Sequence, residues 1–208
     1  IVSPPNEISA GRAAKGEPIE YMIGEVAFYH CLIAVNSKVL IPRPETEILV
    51  DQACRFFKQI PCQGKEIWDV CTGSGCIGIA IKKACPDLNV FLSDISPEAL
   101  AVASANAKQN QVEVELLQGD LLAPFKGRKA DFVICNPPYI SSEEFLAVDL
   151  SVKNFEPQHA LLGGEDGLQF YRRLKEDLPD YLNPGAKIFF EIGAEQGQKV
   201  LSLFSGNR

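Results

Sequence analysis

Glu66-Ile67-Trp68-Asp69-Val70-Cys71-Thr72-Gly73-Ser74-Gly75-Cys76-Ile77-Gly78 is the stretch that decides the fold of this chain. Glu66 to Cys71 reads as a strand, and Ile79 to Ala84 carries on as a helical pattern. Gly73, Gly75 and Gly78 satisfy G-x-G-x-x-G between the two, the strand-turn-helix context that gives the pattern its meaning. Glycine at these points allows a tight turn and lets a ligand approach the backbone. Nineteen residues past Gly75, a second strand, Asn89 to Asp94, ends in a carboxylate. An acid there accepts hydrogen bonds from both hydroxyls of a ribose. The pair predicts an adenosine-type ligand at the switch of a parallel sheet. By itself it does not separate NAD from S-adenosylmethionine.

Asp69 bears on that choice. A negative charge at the strand end disfavours a pyrophosphate and suits a ligand carrying an ammonium and a sulfonium. A third acid, in Gly119-Asp120-Leu121, closes a strand-like run from Val112 to Leu117. Taken alone, Asp120 reads as an ordinary turn carboxylate.

Downstream, the apolar run Asp131-Phe132-Val133-Ile134-Cys135 leads into Asn136-Pro137-Pro138-Tyr139. Consecutive prolines donate no backbone hydrogen bond, so the strand stops there. Asn136 and Pro137 each precede a proline and are pushed to extended geometry. The acceptors that remain are the Asn136 side-chain oxygen and the Pro137 carbonyl, with an aromatic ring just beyond. Two such acceptors match the two donors of a planar NH2 group. The alternative is a strand-end turn with stacked prolines. The order of the motifs weighs more than any one of them: glycine loop, Asp94, Asp120 and NPPY each end a strand of a βα unit. Ligands bind at that edge of an open parallel sheet.

Asp69-Val70-Cys71-Thr72-Gly73-Ser74-Gly75 resembles motif I of the S-adenosylmethionine-dependent methyltransferases, with Cys71 in place of the first glycine. Three further segments narrow the resemblance: Ile41-Pro42-Arg43-Pro44-Glu45-Thr46-Glu47, Phe155-Glu156-Pro157, and Gly163-Gly164-Glu165-Asp166-Gly167-Leu168. With NPPY they are similar to the HemK/PrmC family over about residues 16 to 200. Members of that family methylate the side-chain amide nitrogen of a glutamine in peptide chain release factors.

The resemblance implies a Rossmann-like, doubly wound α/β sheet with S-adenosylmethionine as methyl donor and S-adenosylhomocysteine as product. It assigns the donor to Asp69, Cys71, Thr72, Gly73, Ser74, Gly75, Asp94, Asp120, Leu121 and Asn136. It assigns the acceptor to Asn136, Pro137, Pro138, Tyr139, Pro42 and Arg43, with Asn136, Pro137 and Tyr139 at the chemistry. Tyr139 is expected on the amide plane or facing the sulfonium. Arg43 is left between holding Glu45 or the substrate backbone and a structural salt bridge. The partner implied is a release factor, in the cytoplasm.

Composition accords with this. Of 208 residues, 46% are hydrophobic and 23% charged, the balance of an ordinary globule. No apolar run approaches the roughly 18 residues of a membrane span. Seven scattered cysteines point to reduced thiols in a cytoplasm. His30 and His159 lack local ligand partners, so no metal is expected. A net charge of −7, without a Lys/Arg-rich stretch, argues against direct DNA binding and for a protein substrate.

Along the chain, residues 1–20 read as a linker from an absent N-terminal helical domain, and 21–208 as the methyltransferase domain. A β-hairpin is expected over Val26 to Ile41, turning near Asn36-Ser37. Helices are expected over Ile48 to Ile60, Pro97 to Gln109 (Ser96 as N-cap), Leu168 to Leu182 and Gln196 to Phe204. Residues 140–166 read as a long irregular segment of a length that signals function. Asn183-Pro184-Gly185 reads as a turn before a fifth strand, Ala186 to Ile192. The antiparallel strand pair that normally finishes this fold is expected to be missing.

Three other readings stay open. An adenine-N6 or cytosine-N4 DNA methyltransferase shares NPPY but needs a target-recognition region, for which only 140–166 is free. An NAD-dependent oxidoreductase leaves NPPY and Asp69 unexplained. A cofactor-binding scaffold without activity is the non-enzyme reading.

Overall fold

The computed structural model describes residues 7–205. Two short helices come first, α1 (Glu7–Ala14) and α2 (Ile19–Ile23). Most of the described part of the stretch expected to be a linker is therefore helical, and residues 1–6 lie outside the described residues. An antiparallel hairpin follows, β1 (Glu25–Phe28) and β2 (Cys31–Ala34). Then come α3 (Pro44–Phe57), β3 (Glu66–Val70), α4 (Cys76–Ala84), β4 (Asn89–Asp94), α5 (Pro97–Gln109), β5 (Glu115–Gln118) and β6 (Ala130–Cys135). The chain continues through α6 (Ser142–Ala147), α7 (Leu150–Phe155), α8 (Gln169–Asp177), β7 (Leu182–Phe190) and α9 (Gly197–Phe204).

The sheet is parallel throughout, in the order β5-β4-β3-β6-β7. From β3 the chain builds outward through β4 and β5. It then crosses back to lay β6 on the other side of β3. The connections after β3 and β6 leave in opposite directions and open a crevice at the strands' C-terminal ends. The glycine loop follows β3 and NPPY follows β6, so topology alone brings the two motifs together.

The central strands read as apolar because helices cover both sheet faces. Ile67, Leu92, Phe132 and Ile134 pack on one side with residues of α3, α4 and α5. Trp68, Val70, Val133 and Cys135 pack on the other with Leu174 and Leu178, and Trp68 stacks on Phe125 with ring centroids 3.9 Å apart. Helix α5 has the expected bounds: Pro97 opens it, and the Ser96 hydroxyl accepts from the Ala99 N–H at 3.1 Å.

The hairpin turns at Tyr29-His30, not near Asn36-Ser37. Both turn residues have positive φ, 41° and 62°, and Phe28 pairs directly with Cys31. This is the two-residue loop whose twist suits a hairpin, built without its usual Asn or Gly. The Tyr29 N–H donates to Glu47 Oε1, and the Tyr29 hydroxyl to Asp51 Oδ1. Both partners lie on α3, so tertiary contacts hold a turn that local preference does not favour. Asn36 does make a turn, with Val39 and Lys38 N–H groups donating to it, but that turn lies beyond the hairpin.

The free edge of β2 meets side chains instead of another strand. Asn106 donates to the Ala34 carbonyl and accepts from its N–H; Asn110 does the same for Leu32. Asn106 lies in α5 and Asn110 caps its C-terminus one turn on, and together they satisfy the exposed edge as a strand would. Asn106 also donates to the Ser74 carbonyl, tying hairpin, α5 and glycine loop together.

Two other expectations change in detail. The stretch 140–166 is not irregular. It holds α6, opened by a capping box between Ser141 and Glu144, and then α7. It returns to pair with its own start through Ile140 and Leu162. Asn183-Pro184-Gly185 is a bulge inside β7 and not a turn before it. Ala130 pairs with Leu182 and Phe132 with Lys187, so residues 183–186 loop out opposite Asp131.

Candidate active site

Asp69 ends up fully buried behind the glycine loop and does not line the crevice. Its Oδ2 accepts from the Thr72 hydroxyl at 2.6 Å and the Gly78 N–H at 2.9 Å. The carboxylate thus fixes the loop from within. A Cβ on Gly78 would stand 2.2 Å from Leu92 Cδ2, so only glycine lets α4 approach the sheet this closely. Burial pushes the Asp69 carboxyl up to about 7, against the two hydrogen bonds that favour its ionised form. Its other oxygen has no partner among the described residues.

Cys71 takes φ 61°, the left-handed region that a glycine occupies without cost. The replacement in motif I therefore keeps the backbone path at the expense of local strain. Gly75, at φ 82°, caps the N-terminus of α4 and lies outside the crevice lining.

The crevice holds a cavity of about 270 Å³. Cys71, Thr72, Gly73 and Ser74 form its floor, Asp94 one side, and Asp120 and Leu121 the next. Asn136, Pro138, Pro42 and Arg43 close it. Asp94 accepts one backbone N–H on each oxygen, from Gly73 at 2.8 Å and Ser96 at 3.0 Å, and still faces the cavity. Ile95, Leu121 and Phe170 supply apolar wall. Arg173 donates to Asp120 at 2.6 Å from the rim.

A second cavity, of about 200 Å³, adjoins the first. Pro137 and Tyr139 line this one and not the first. Leu40, Arg43, Asn136 and Ala160 line both, and of these Asn136 and Arg43 bring polar side chains to the partition between the chambers. The Asn136 amide nitrogen faces Thr46 Oγ1 at 3.5 Å. Among the described residues neither Asn136 Oδ1 nor the Pro137 carbonyl accepts a hydrogen bond, so both acceptors are free. Tyr139 does not line the first cavity. Its hydroxyl points to Glu191 Oε1 at 3.4 Å, and burial raises it to about 12.

Arg43 forms a salt bridge. It donates to Glu156 Oε1 at 2.5 Å, and the Ile41 N–H donates to Glu156 Oε2. Thr46 and Glu191 are the site residues that sequence reasoning left without a role. Thr46 lay inside the quoted IPRPET segment. Glu191 follows β7 at the same edge where Asp94 ends β4, and that position was its available signal.

A parallel sheet with a glycine loop after one strand, an acid at the end of the next and NPPY across the switch defines the methyltransferase class. The family described as Methyltransferase small domain matches residues 46–155. Among solved structures, a methyltransferase from Pyrococcus furiosus shares the fold at TM-score 0.62 and 19% identity, over 94% of this chain and 86% of that one. Among curated relatives, the release factor glutamine methyltransferase of Chlamydia trachomatis serovar L2 is 46% identical over 90% of this chain and 64% of its own length. That of Thermodesulfovibrio yellowstonii is 44% identical over 94% of this chain and 71% of its own. The chain belongs to the release factor glutamine methyltransferase family. It spans a little under two thirds of the Chlamydia relative's length.

Proposed function

We propose that the protein transfers a methyl group from S-adenosylmethionine to the side-chain amide nitrogen of a glutamine in a peptide chain release factor. The observation that carries this reading is the pair of adjoining chambers with Asn136 in their partition. The family relationship supports the choice of substrate.

The residues present fit the donor. Asp94 would hold the ribose hydroxyls beside the Gly73 backbone, and the apolar side chains of Leu121 and Phe170 would receive the adenine. Asp69 acts on the donor only through the loop it braces. S-adenosylmethionine supplies a methyl group made electrophilic by the sulfonium. The protein's own part is to seat and orient the acceptor.

A glutamine amide nitrogen is a poor nucleophile because its lone pair is shared with the carbonyl. Asn136 Oδ1 and the Pro137 carbonyl hold its two hydrogens and turn the lone pair toward the donor chamber. Reacting atoms so held, about 3–3.5 Å apart, no longer pay the entropy of encounter. The same acceptors oppose positive charge growing on nitrogen, an effect felt most in the transition state. Arg43 keeps the partition in place through Glu156. Seven unpaired thiols accord with a cytoplasmic setting.

The test is to incubate the full-length protein with tritiated S-adenosylmethionine and total cell protein or DNA. Label on a release factor, with mass spectrometry placing one added methylene on a glutamine, is the expected result. Label in duplex DNA overturns it.

A further inference from the structure

Glu191 stands where the mechanism above has no assigned part. It follows β7 and lines the second cavity with Asn136, Pro137 and Tyr139. Its Oε1 receives the Tyr139 hydroxyl, while Oε2 is buried with no partner among the described residues. An acid oxygen without a partner, in a chamber also lined by Asn136 and Pro137, calls for a donor brought by the substrate.

Methylation of an amide nitrogen has such a donor to shed. The nitrogen gains a bond to the methyl carbon, and the carbon–sulfur bond breaks with its electron pair left on sulfur. The nitrogen must then lose one proton to give the neutral N-methyl amide. Asn136 Oδ1 and the Pro137 carbonyl can hold that proton but cannot keep it.

We propose that Glu191 is the catalytic proton acceptor: as the nitrogen–carbon bond forms, one of the two hydrogens held by Asn136 and Pro137 passes from the nitrogen to Oε2, and from there to solvent afterwards. This rests on the glutamine-methylation reading above. The carboxylate suits the task. A neutral amide is far too weak an acid for it, but the nitrogen becomes acidic once methyl transfer places positive charge there. The groups facing Glu191 are Tyr139 and Arg43 in the chamber, Glu45 on α3, Cys76 on α4 and Tyr171 on α8. Burial raises the Glu191 carboxyl above its ordinary range, with Glu45 adding to the rise and hydrogen bonding around Thr46, Tyr139 and Asn136 opposing it. A raised acid is a better base when ionised, and it loses that form as pH falls through its pKa.

The test uses the full-length protein, its release-factor substrate and two variants, Glu191→Gln and Glu191→Asp. The wild type should show kcat falling on the acid side. Glu191→Gln should bind S-adenosylmethionine as the wild type does by calorimetry. It should lose about 10²-fold in kcat, the low end for general acid–base catalysis, and lose the acid limb with it. Glu191→Asp keeps a carboxylate and should keep the limb at reduced kcat. Infrared difference titration should show a carboxyl band in the wild type that is absent from Glu191→Gln. A kcat within a few-fold of wild type for Glu191→Gln overturns the proposal. So does a low kcat with the acid limb intact, which makes Glu191 a positioning residue for Tyr139 and Asn136. If the wild type places no label on glutamine, the functional reading fails first and takes this inference with it.

Discussion

Arg43 Nη2 stands 2.5 Å from Glu156 Oε1, a residue 113 positions further along the chain. The pair joins two segments that the sequence singles out separately, IPRPET and Phe155-Glu156-Pro157, and anchors Arg43, which lines both cavities, to a buried carboxylate. The Glu156 side chain is 1% exposed and that of Arg43 33%, so the carboxylate depends on its partner more than the guanidinium does.

That asymmetry predicts unequal costs. Arg43→Met leaves a buried carboxylate with only the Ile41 N–H and should lower stability by about 3 kcal/mol. Glu156→Gln keeps a neutral acceptor for Ile41 and leaves Arg43 partly hydrated, so about 1–2 kcal/mol is expected. Urea denaturation of both variants checks the order. Equal losses would contradict the asymmetry read from the two side chains' burial.

In the proposed function Asp94 carries the donor side. Its oxygens already hold the Gly73 and Ser96 N–H groups, so removing them loosens the loop as well as the ribose contact. Asp94→Ala should weaken S-adenosylmethionine binding by about 1.5–3 kcal/mol, measured by calorimetry. Unchanged affinity would remove Asp94 from the donor site, and tight binding of NAD would remove the class.

Asp69 gives stability a pH dependence of known sign. Its carboxyl titrates near 7 in the folded protein, against an ordinary value of 3.8. Over that window the folded state keeps a proton that the unfolded chain has released. Stability from this group is therefore complete below about pH 4, falls as pH rises, and levels off above 7. The loss is on the order of a few kcal/mol. Asp69→Asn, which can still accept from Thr72 and Gly78, should flatten the profile in difference melts at pH 5 and pH 8. A profile as steep as wild type would contradict the assignment.

Cys71 offers a backbone test. Its φ of 61° costs an L-residue strain that glycine does not feel. Cys71→Gly should melt no lower than wild type, since relief of strain offsets the added freedom of the unfolded chain. Cys71→Val, β-branched at positive φ, should lose about 1–3 kcal/mol. A Gly variant less stable than the Val variant would mean that the thiol's packing, and not the backbone, decides this position.

The parts of the fold that sequence makes plain are those with local signals. Ser96-Pro97 opens α5 by a cap and a ring, the glycine loop follows its strand, and the prolines of NPPY end another. The hairpin turn was not legible, because Tyr29 and His30 carry no turn preference; Glu47 and Asp51 on α3 hold it there. Asn106 and Asn110 look like polar positions in an alanine-rich helix until β2 is laid against them. Asn183-Pro184-Gly185 has turn composition and does loop out, but β6 pairs on both sides of it and makes it a bulge. At the site, Asp94 was legible because it ends a strand beside a motif. Glu191 occupies the equivalent position after β7, with no motif to mark it. Asp69 was legible as an acid at a strand end, but not its burial, which depends on how closely Gly78 lets α4 approach.

The central claim is that Asn136 divides two chambers and aligns the acceptor nitrogen, while the glycine loop and Asp94 hold the donor. Steady-state kinetics of Asn136→Ala, with calorimetry of S-adenosylmethionine on the same sample, tests it most directly. The account predicts nearly unchanged donor affinity and a kcat lowered by at least about 10²-fold, the usual cost of losing one oriented polar partner of a transition state. Turnover near the wild-type rate would contradict it and leave Asn136 as a turn residue at the end of β6.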